Sequence, residues 1–380
     1  MTMKYTLLAA AALTLLTTAA SAVDFGGYTR VGPGQKGQAG DQQRCFDGGA
    51  DGGHGGVGRL GNECNTYGEF FLSQGAEAGG VNYKTLLMTN FYTPGAEAAG
   101  IATAVNQIYV EGKGFDVAPN VNFWAGRRFY DRADVHFDDT FFVDLSGTGA
   151  GADGIDVGVG TFGLAYFRDY NQVDRVNATL LGIGTNPGGK LNVIGTFTKG
   201  VGAGGQSGTG LSLQHNQGGV FGGENTLWLQ LANGSAYLNG GSGGATDDSN
   251  KKRWRIADSL AWTKGPLTAQ TLIQVGEEKT GPAKRTYNSI AGRAAYAFTK
   301  NFKLQAELGT SNTKPTSDAS TQTVTKFTIA PTLAVGPNYY DRPELRFYVS
   351  TFKFNDAYQA AKGLTKSNQT AAGFQAEIWF

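Results

Sequence analysis

The chain has 380 residues, of which 40% are hydrophobic, 12% aromatic and 58 are glycine. Its 32 basic and 31 acidic residues give a formal net charge of +1, which argues against nucleic acid or another strongly charged partner. The mean hydropathy of −0.26 resembles that of a soluble protein, but a membrane barrel with a wet interior has the same average because only alternate residues face lipid. Composition therefore fits a large barrel and equally a glycine-rich secreted adhesin.

The first 22 residues predict a secretory signal peptide. Lys4 supplies the basic start, Leu7–Leu16 the short apolar stretch, and Ala20–Ala22 a small-residue cleavage site before Val23. This apolar stretch is shorter than the ~20 residues of a membrane-spanning helix, and no later segment has an apolar run of that length. If residues 23–380 lie in a membrane, they therefore cross it as strands, and we predict one barrel domain.

Alternation of apolar and polar residues recurs along the mature chain and predicts β-strands. The clearest stretches are Val23–Val31, Tyr67–Leu72, Leu227–Leu231, Lys303–Leu308, Phe327–Val335, Leu345–Ser350 and Ala372–Phe380. In the last of these, every second residue back from Phe380 is apolar, whereas Trp379 and Glu377 share the polar face. Strands that are apolar on one side and polar on the other are typical of water-filled membrane barrels, which need ~9–11 residues per crossing.

Two kinds of connector separate these strands. Tight turns are predicted at Thr185–Gly189, Lys264–Pro266 and Thr299–Asn301, and long polar loops at Gly49–Gly58, Gly200–Gly210 and Gly234–Asp248. Short turns at one rim and long loops at the other are typical of bacterial outer-membrane barrels. The mature length divides into 16 to 18 strands of roughly 20 residues each, connectors included. The predicted fold class is therefore all-β, a transmembrane antiparallel β-barrel.

Two cysteines, Cys45 and Cys64, lie near the start of the mature chain. In an oxidising compartment, the simplest role of such a pair is a disulfide that closes a loop of about twenty residues and contributes roughly 3 kcal/mol. A metal site would need further Cys or His nearby, and only His54 lies between the two cysteines. We therefore predict a structural disulfide rather than a metal site, and no spacing in the sequence calls for a cofactor.

Aromatic and charged residues share the polar face of three predicted strands. The pairs are Tyr28 with Arg30, Tyr67 with Glu69, and Trp379 with Glu377. Aromatic residues of barrels commonly form girdles at the membrane interfaces, but girdle residues point to lipid, whereas the alternation points these three rings inward. Flat rings in a wet lumen suit a sugar, because its C–H faces are apolar and ring contact fixes no hydrogen-bond geometry.

The segment Arg127–Asp144 is dense in charges of both signs. As an ordinary surface loop it would be a solvated face, whereas folded into a lumen it would present Arg132, Asp134 and Asp139 to a solute. The adjacent pair Asp138 and Asp139 does not suit glycoside hydrolysis, which uses two carboxyl groups about 5–9 Å apart across the bond. A barrel enzyme would also need a nucleophile beside a base, and no histidine has such neighbours in sequence. We therefore predict no enzymatic activity.

From Val23 onward, the chain resembles the maltoporin family of carbohydrate-selective porins. The matching segments, in order, are Val23–Arg30 (VDFGGYTR), Arg59–Glu69, Trp124–His136 (WAGRRFYDRADVH), Val143–Gly160 (VDLSGTGAGADGIDVGVG), Asn186–Gly189 (NPGG), Arg342–Arg346 (RPELR) and the terminal AEIWF. The resemblance implies an 18-stranded homotrimeric barrel in the outer membrane of a Gram-negative cell, in contact with outer-membrane lipid. It also implies a third loop that folds into the lumen as a constriction.

The family passes maltodextrins along a path of aromatic rings flanked by a polar track. By resemblance, the path residues here are Tyr28, Tyr67, Phe141, Tyr340 and Trp379, with Tyr340 at a tryptophan position and Phe141 at the position of the constriction tyrosine. The polar track comprises Arg30, Arg59, Glu69, Arg132 and Asp139, to which the charge-dense loop adds Asp134.

Three departures from the family pattern bear on function. Asn106 stands where the family has an arginine, and the loop Tyr92–Ala104 lacks the tryptophan that the family lends to the neighbouring subunit's pore. One path aromatic, near Gly222–Asn225, has no clear counterpart, although Phe221 and Trp228 are nearby. We predict facilitated diffusion of maltose, maltodextrins or related oligosaccharides. The alternative is a general diffusion porin for ions and small hydrophilic solutes without sugar selectivity.

Overall fold

The structure, a computed structural model, describes residues 23–32, 45–94, 101–316 and 319–380. The predicted signal peptide, residues 1–22, lies outside the described residues. Within them, 18 strands form one closed antiparallel sheet, which confirms the predicted all-β barrel and the strand count implied by the resemblance. None of the described helical residues forms a helix long and apolar enough to cross a membrane.

The described chain contains the following elements. The strands are β1 (Asp24–Val31), β2 (Asn65–Ala78), β3 (Val81–Pro94), β4 (Ala102–Lys113), β5 (Asn122–Arg128), β6 (Arg132–Val135), β7 (Thr140–Asp144), β8 (Gly147–Asp156), β9 (Thr161–Asp169), β10 (Val173–Gly184), β11 (Gly189–Gly200), β12 (Ser207–Val220), β13 (Gly223–Gly234), β14 (Lys252–Lys264), β15 (Leu267–Thr280), β16 (Ala283–Ala297), β17 (Phe302–Lys314), β18 (Gln322–Ala334), β19 (Glu344–Phe354) and β20 (Asn368–Trp379). A short helix, α1 (Asp356–Lys362), follows β19. Strands β6 and β7 pair only with each other, and the remaining strands form the wall.

The wall closes where β1 pairs with β20. One rim carries short turns such as Gly79–Gly80 and Gly265–Pro266, and we call it the inner rim; the opposite rim, with the longer connections, is the outer rim. The three predicted tight turns all lie at the inner rim. The predicted loop Gly200–Gly210 is shorter than expected, because β12 already begins at Ser207.

The two faces of the wall alternate as the sequence pattern predicts. In β18, Phe327 and Ile329 on the outward face are 45% and 40% exposed, whereas Lys326 and Thr328 on the inward face are fully buried. A wet lumen would leave the inward side chains exposed to water. Their burial shows that chain segments fill part of the lumen.

The first of these segments, residues 45–64, folds into the lumen between β1 and β2 and is called the first luminal insert. A disulfide joins Cys45 to Cys64, as predicted. The backbone N–H of Leu60 donates to Glu307 at 2.9 Å, and Lys326 donates to the carbonyl of Gly58 at 2.6 Å. Gly58 has a φ of +78°, and a Cβ there would lie 2.4 Å from the Glu307 carboxylate, so only glycine allows this approach. The prediction of Gly49–Gly58 as a rim loop was therefore wrong.

The second segment, residues 129–146, contains β6 and β7 and is called the second luminal insert; it is the predicted constriction loop. Its Phe142 stacks on Trp228 of β13 with ring centroids 4.5 Å apart. Trp228 is only 2% exposed, so it is covered by this insert and cannot serve as a path aromatic. The two inserts also bind each other, since the N–H of Arg59 donates to the carbonyl of Phe137 at 2.8 Å.

Candidate functional site

A cavity of about 460 Å³ lies between the two luminal inserts and the wall strands β1, β2 and β20. Its lining residues are Tyr28, Arg30, Arg59, Tyr67, Glu69, Arg132, Asp134, His136, Asp139, Phe141 and Trp379. Every residue that the sequence singled out for the path or the track is in this set except Tyr340, and His136 is an addition. The structure thus brings these residues together, whereas their role in binding a sugar stays a prediction.

Strand register explains why three of the rings meet. Tyr28 of β1 lies directly opposite Trp379 of β20, and Arg30 lies opposite Tyr67 of β2. Direct partners on neighbouring strands have side chains on the same face. The Tyr28 ring consequently lies 6.1 Å from the Tyr67 ring and 6.4 Å from the Trp379 ring, measured between centroids.

His136 continues this series toward the inner rim. Its ring centroid lies 5.5 Å from that of Trp379 and 5.8 Å from that of Tyr340. Tyr340, on the connection between β18 and β19, is therefore outside the cavity but adjacent to its last ring. We call Tyr67, Tyr28, Trp379, His136 and Tyr340, in this order, the ring row. It crosses the wall from near the outer end of β2 to the inner rim.

Phe141 does not belong to the ring row. It lines the cavity from the second luminal insert, and the Arg132 guanidinium lies 4.1 Å from its ring centroid. The same guanidinium is 4.1 Å from the ring of Phe129. Arg132 is therefore held between two aromatic rings, an arrangement that favours the planar guanidinium over a lysine ammonium.

The polar track is a network of paired charges. Arg30 lies 3.1 Å from Asp139 and 3.3 Å from Glu63. Arg59 donates to the Tyr28 hydroxyl at 2.7 Å, and its guanidinium lies 2.9 Å from Glu377. The cavity lining contains three arginines and three carboxylates, so its formal charge balances when His136 is neutral.

Glu377 is the central acceptor of this network, a role that the alternation did not reveal. Its side chain is 1% exposed and accepts hydrogen bonds from Tyr28 at 2.9 Å, from Arg342 at 2.8 Å, and from Arg346. The sequence places Glu377 on the wet face of β20, but the number of its partners depends on distant strands and on the first luminal insert.

Asn106 takes a defined place beside the outer end of the ring row. Its side-chain amide donates to the Tyr67 hydroxyl at 3.1 Å and to Glu69 at 3.2 Å. The Tyr67 hydroxyl in turn donates to Glu69 at 2.6 Å. A neutral amide therefore orients Tyr67 and Glu69 at the position where the resembling family has an arginine.

The loop side chains of the site have shifted pKa values. Burial by itself would raise the pKa of Asp139, but the neighbouring Arg59 and Arg30 outweigh it and hold that pKa at about 2. Burial lowers the pKa of His136 below its usual 6.5, and the nearby Arg59 and Arg342 lower it further against the opposing effect of Glu377. His136 is accordingly neutral at pH 7, and its Nε2 lies 3.3 Å from the Arg342 guanidinium, which can donate to it.

Acidification is expected to shift the channel's ion preference toward anions. As the pH falls below 6.5 toward the lowered pKa of His136, the imidazole gains a proton and adds one positive charge to the cavity, while Asp139 stays ionised. The reversal potential in a salt gradient, measured between about pH 7.5 and about pH 4.5, reports this change.

The variant His136→Gln isolates the imidazole contribution. Burial and Asp153 raise the pKa of Asp131 to about 6, so this carboxylate gains a proton in the same range in both proteins. The part of the change in reversal potential that is lost in His136→Gln is therefore caused by protonation of His136. An identical shift in both proteins would contradict the prediction.

The fold and the cavity together define an outer-membrane channel, with a lumen narrowed by two inserts and lined by rings and paired charges. The model of the LamB porin family matches residues 23–380, and the chain belongs to that family. Members are channels rather than enzymes, and the family together with the closed barrel places the protein in the outer membrane.

Two further kinds of similarity agree with this assignment. The chain is 29% identical over 399 residues to a protein named maltoporin from Hahella chejuensis (strain KCTC 2396), covering 98% of this chain and 96% of that protein. Among solved structures, Pseudomonas aeruginosa OccK2 (OpdF) matches with a TM-score of 0.59 at 8% identity, covering 94% of this chain and 97% of that one. Acinetobacter baumannii OccAB1 matches with a TM-score of 0.55 at 11% identity, covering 94% and 96%. At these identities the two structures show the shared fold alone.

Proposed function

We propose that the protein is a channel for facilitated diffusion of maltose, maltodextrins or related oligosaccharides. The observation that supports this proposal is the ring row, in which successive centroids lie 5.5 to 6.4 Å apart. A pyranose unit can stack on one ring and pass to the next, because its apolar C–H faces need contact area rather than a fixed hydrogen-bond geometry.

The charged residues beside the ring row suit the sugar hydroxyls. Arginine donates and a carboxylate accepts, and hydrogen bonds with a charged partner are the stronger kind. Arg30 lies opposite Tyr67 at the outer end of the row and pairs with Asp139, and Glu69 lies opposite Tyr28. Several modest sites in series allow a solute both to enter and to leave, which is what transport requires.

A general diffusion porin is the second candidate, and it is favoured by Asn106. An amide at this position supplies no charge to a passing solute, and its donors already bind Tyr67 and Glu69. If sugar binding depends on a cation there, the ring row alone would hold sugars too weakly to block the current of ions.

Conductance of the reconstituted channel in a planar bilayer, titrated with maltose, maltohexaose and sucrose, separates the two candidates. We expect saturable block that strengthens with chain length from maltose to maltohexaose. Ion current that does not respond to millimolar sugar would establish the general porin instead.

Replacing Trp379 with alanine is expected to weaken block by maltohexaose by about tenfold. A ring contact contributes ~0.5–1.5 kcal/mol beyond its buried area, and ~1.4 kcal/mol corresponds to a factor of ten. The matched control is Trp254→Ala, because Trp254 lies opposite the outward-facing Leu231 and so points away from the lumen. Equal block in wild type and Trp379→Ala would remove Trp379 from the path.

We further infer that the channel is a homotrimer embedded in outer-membrane lipid. A cluster of rings on the outward face near the barrel closure supports a subunit contact there. Phe25 lies 6.1 Å from Phe70 and 5.5 Å from Phe380, and Phe70 lies 5.7 Å from Phe91, between ring centroids. The mass of the detergent-solubilised protein, measured for wild type and for the double variant Phe25→Ser/Phe70→Ser, tests this inference. We expect a trimer for wild type and loss of the trimer in the double variant.

A further inference from the structure

The register of β2 and β3 places an additional tyrosine on the lumen face. Tyr92 of β3 lies directly opposite Tyr67 of β2, the outermost member of the ring row. Two residues along, Asn90 lies opposite Glu69 in the same way. Because direct partners share a face, Tyr92 faces the lumen with Tyr67. The alternation within β3 agrees, since Leu86 and Met88 on this face are each 8% exposed, whereas Leu87 on the other face is 40% exposed.

Tyr92 lies close to the outer rim, at the same level of the wall as Tyr67. It lies two residues before the end of β3 at Pro94, and its side chain is 40% exposed. Its partner on β4 is Ala102, whose small side chain leaves the ring uncovered on that side. The Cβ atoms of directly opposed residues are about 4.5–5.5 Å apart, so Tyr92 and Tyr67 are close enough for one oligosaccharide to contact both.

We propose that Tyr92 is an outer binding subsite for the leading pyranose unit of an oligosaccharide. This inference rests on the proposed function. This unit stacks on the Tyr92 ring while a neighbouring unit stacks on Tyr67, where the Glu69 carboxylate offers hydrogen-bond acceptors to its hydroxyls. An oligosaccharide long enough to contact both rings gains from Tyr92 while it is held at Tyr67, whereas a short sugar occupies one ring at a time.

Block of single-channel current by maltose and maltohexaose, in wild type and variants, tests this subsite. In Tyr92→Ala and Tyr92→Leu, maltohexaose block should weaken about threefold to tenfold and maltose block by less, because the flat ring supplies the contact. Tyr92→Phe should behave as wild type, since it keeps the ring. Tyr83→Ala is the matched control, because Tyr83 lies on the same strand, is also 40% exposed and faces away from the lumen.

The outcomes separate this inference from the function on which it rests. If sugars block wild type and Tyr92→Ala equally, with equal sugar-free conductance, the subsite is refuted and the sugar channel stands. If no sugar blocks wild type, the proposed function fails and the subsite fails with it. If Tyr92→Ala and Tyr83→Ala weaken maltohexaose block to the same extent, the cause is a disturbance of β3 rather than loss of the Tyr92 ring. That outcome would also overturn the subsite.

Discussion

Replacing Glu377 with glutamine is expected to lower the free energy of unfolding by about 3–5 kcal/mol, the usual cost of removing one partner from a buried ion pair. Its carboxylate lies 2.9 Å from Arg59 and 2.8 Å from Arg342, and it also binds Arg346. These three guanidinium groups are each 1–2% exposed, so water cannot replace the lost negative charge.

Denaturant unfolding of the detergent-solubilised barrel, followed by tryptophan fluorescence, measures this effect. The matched control is Glu277→Gln, because Glu277 pairs at 2.6 Å with Lys284, whose side chain is 44% exposed, and such surface pairs contribute about 0–1 kcal/mol. If Glu377→Gln lowers the free energy of unfolding by no more than Glu277→Gln does, the prediction is wrong. The other carboxylates of the network, Glu63 and Glu344, then suffice to compensate the charge of the arginines.

Removing the first luminal insert is expected to raise the single-channel conductance several-fold. The variant replaces residues 46–63 with a short glycine–serine linker and carries Cys45→Ser and Cys64→Ser. Val57 and Leu60 are fully buried against the wall, so the insert occupies space that water and ions would otherwise fill. An 18-stranded wall without such filling is wide enough for an aqueous channel.

The control for this variant is Cys45→Ser/Cys64→Ser with the insert intact. Its conductance should match wild type, because Leu60 and Gly61 still donate to Glu307 and Gln375. Unchanged conductance after removal of the insert would mean that the second luminal insert alone limits the current. Increased conductance in both variants would mean that the disulfide, rather than the hydrogen bonds, holds the insert in the lumen.

The strands and their faces could be predicted from the sequence because a strand's period of two is a local property. Alternation alone places Tyr28, Tyr67 and Trp379 on the lumen face, and the register brings their rings together. The length of the chain does not fix the number of strands, because it is compatible with 16 to 18. The resemblance decided for 18, and the closure of β1 on β20 agrees.

The contents of the lumen could not be predicted from local pattern. The first luminal insert has no period, and its position depends on long-range contacts such as that of Leu60 with Glu307, 247 positions away. The sequence alone does not mark His136 as a lining residue, because the direction of a loop side chain depends on the fold around it. Trp228 lies on the inward face of its strand, which alternation predicts to contact water, but Phe142 of the second luminal insert covers it.

The closure of the barrel has a consequence for its biogenesis. The N–H of Gly27 donates to the carbonyl of Phe380 at 3.0 Å, and the N–H of Phe380 donates to the carbonyl of Gly27 at 3.1 Å. The cavity lies along this seam, and 349 positions separate Tyr28 from Glu377, to which it donates. Contacts between residues so distant in sequence form late in folding. An incompletely inserted chain therefore has no intact ring row, and the proposed sugar site exists only once the barrel has closed.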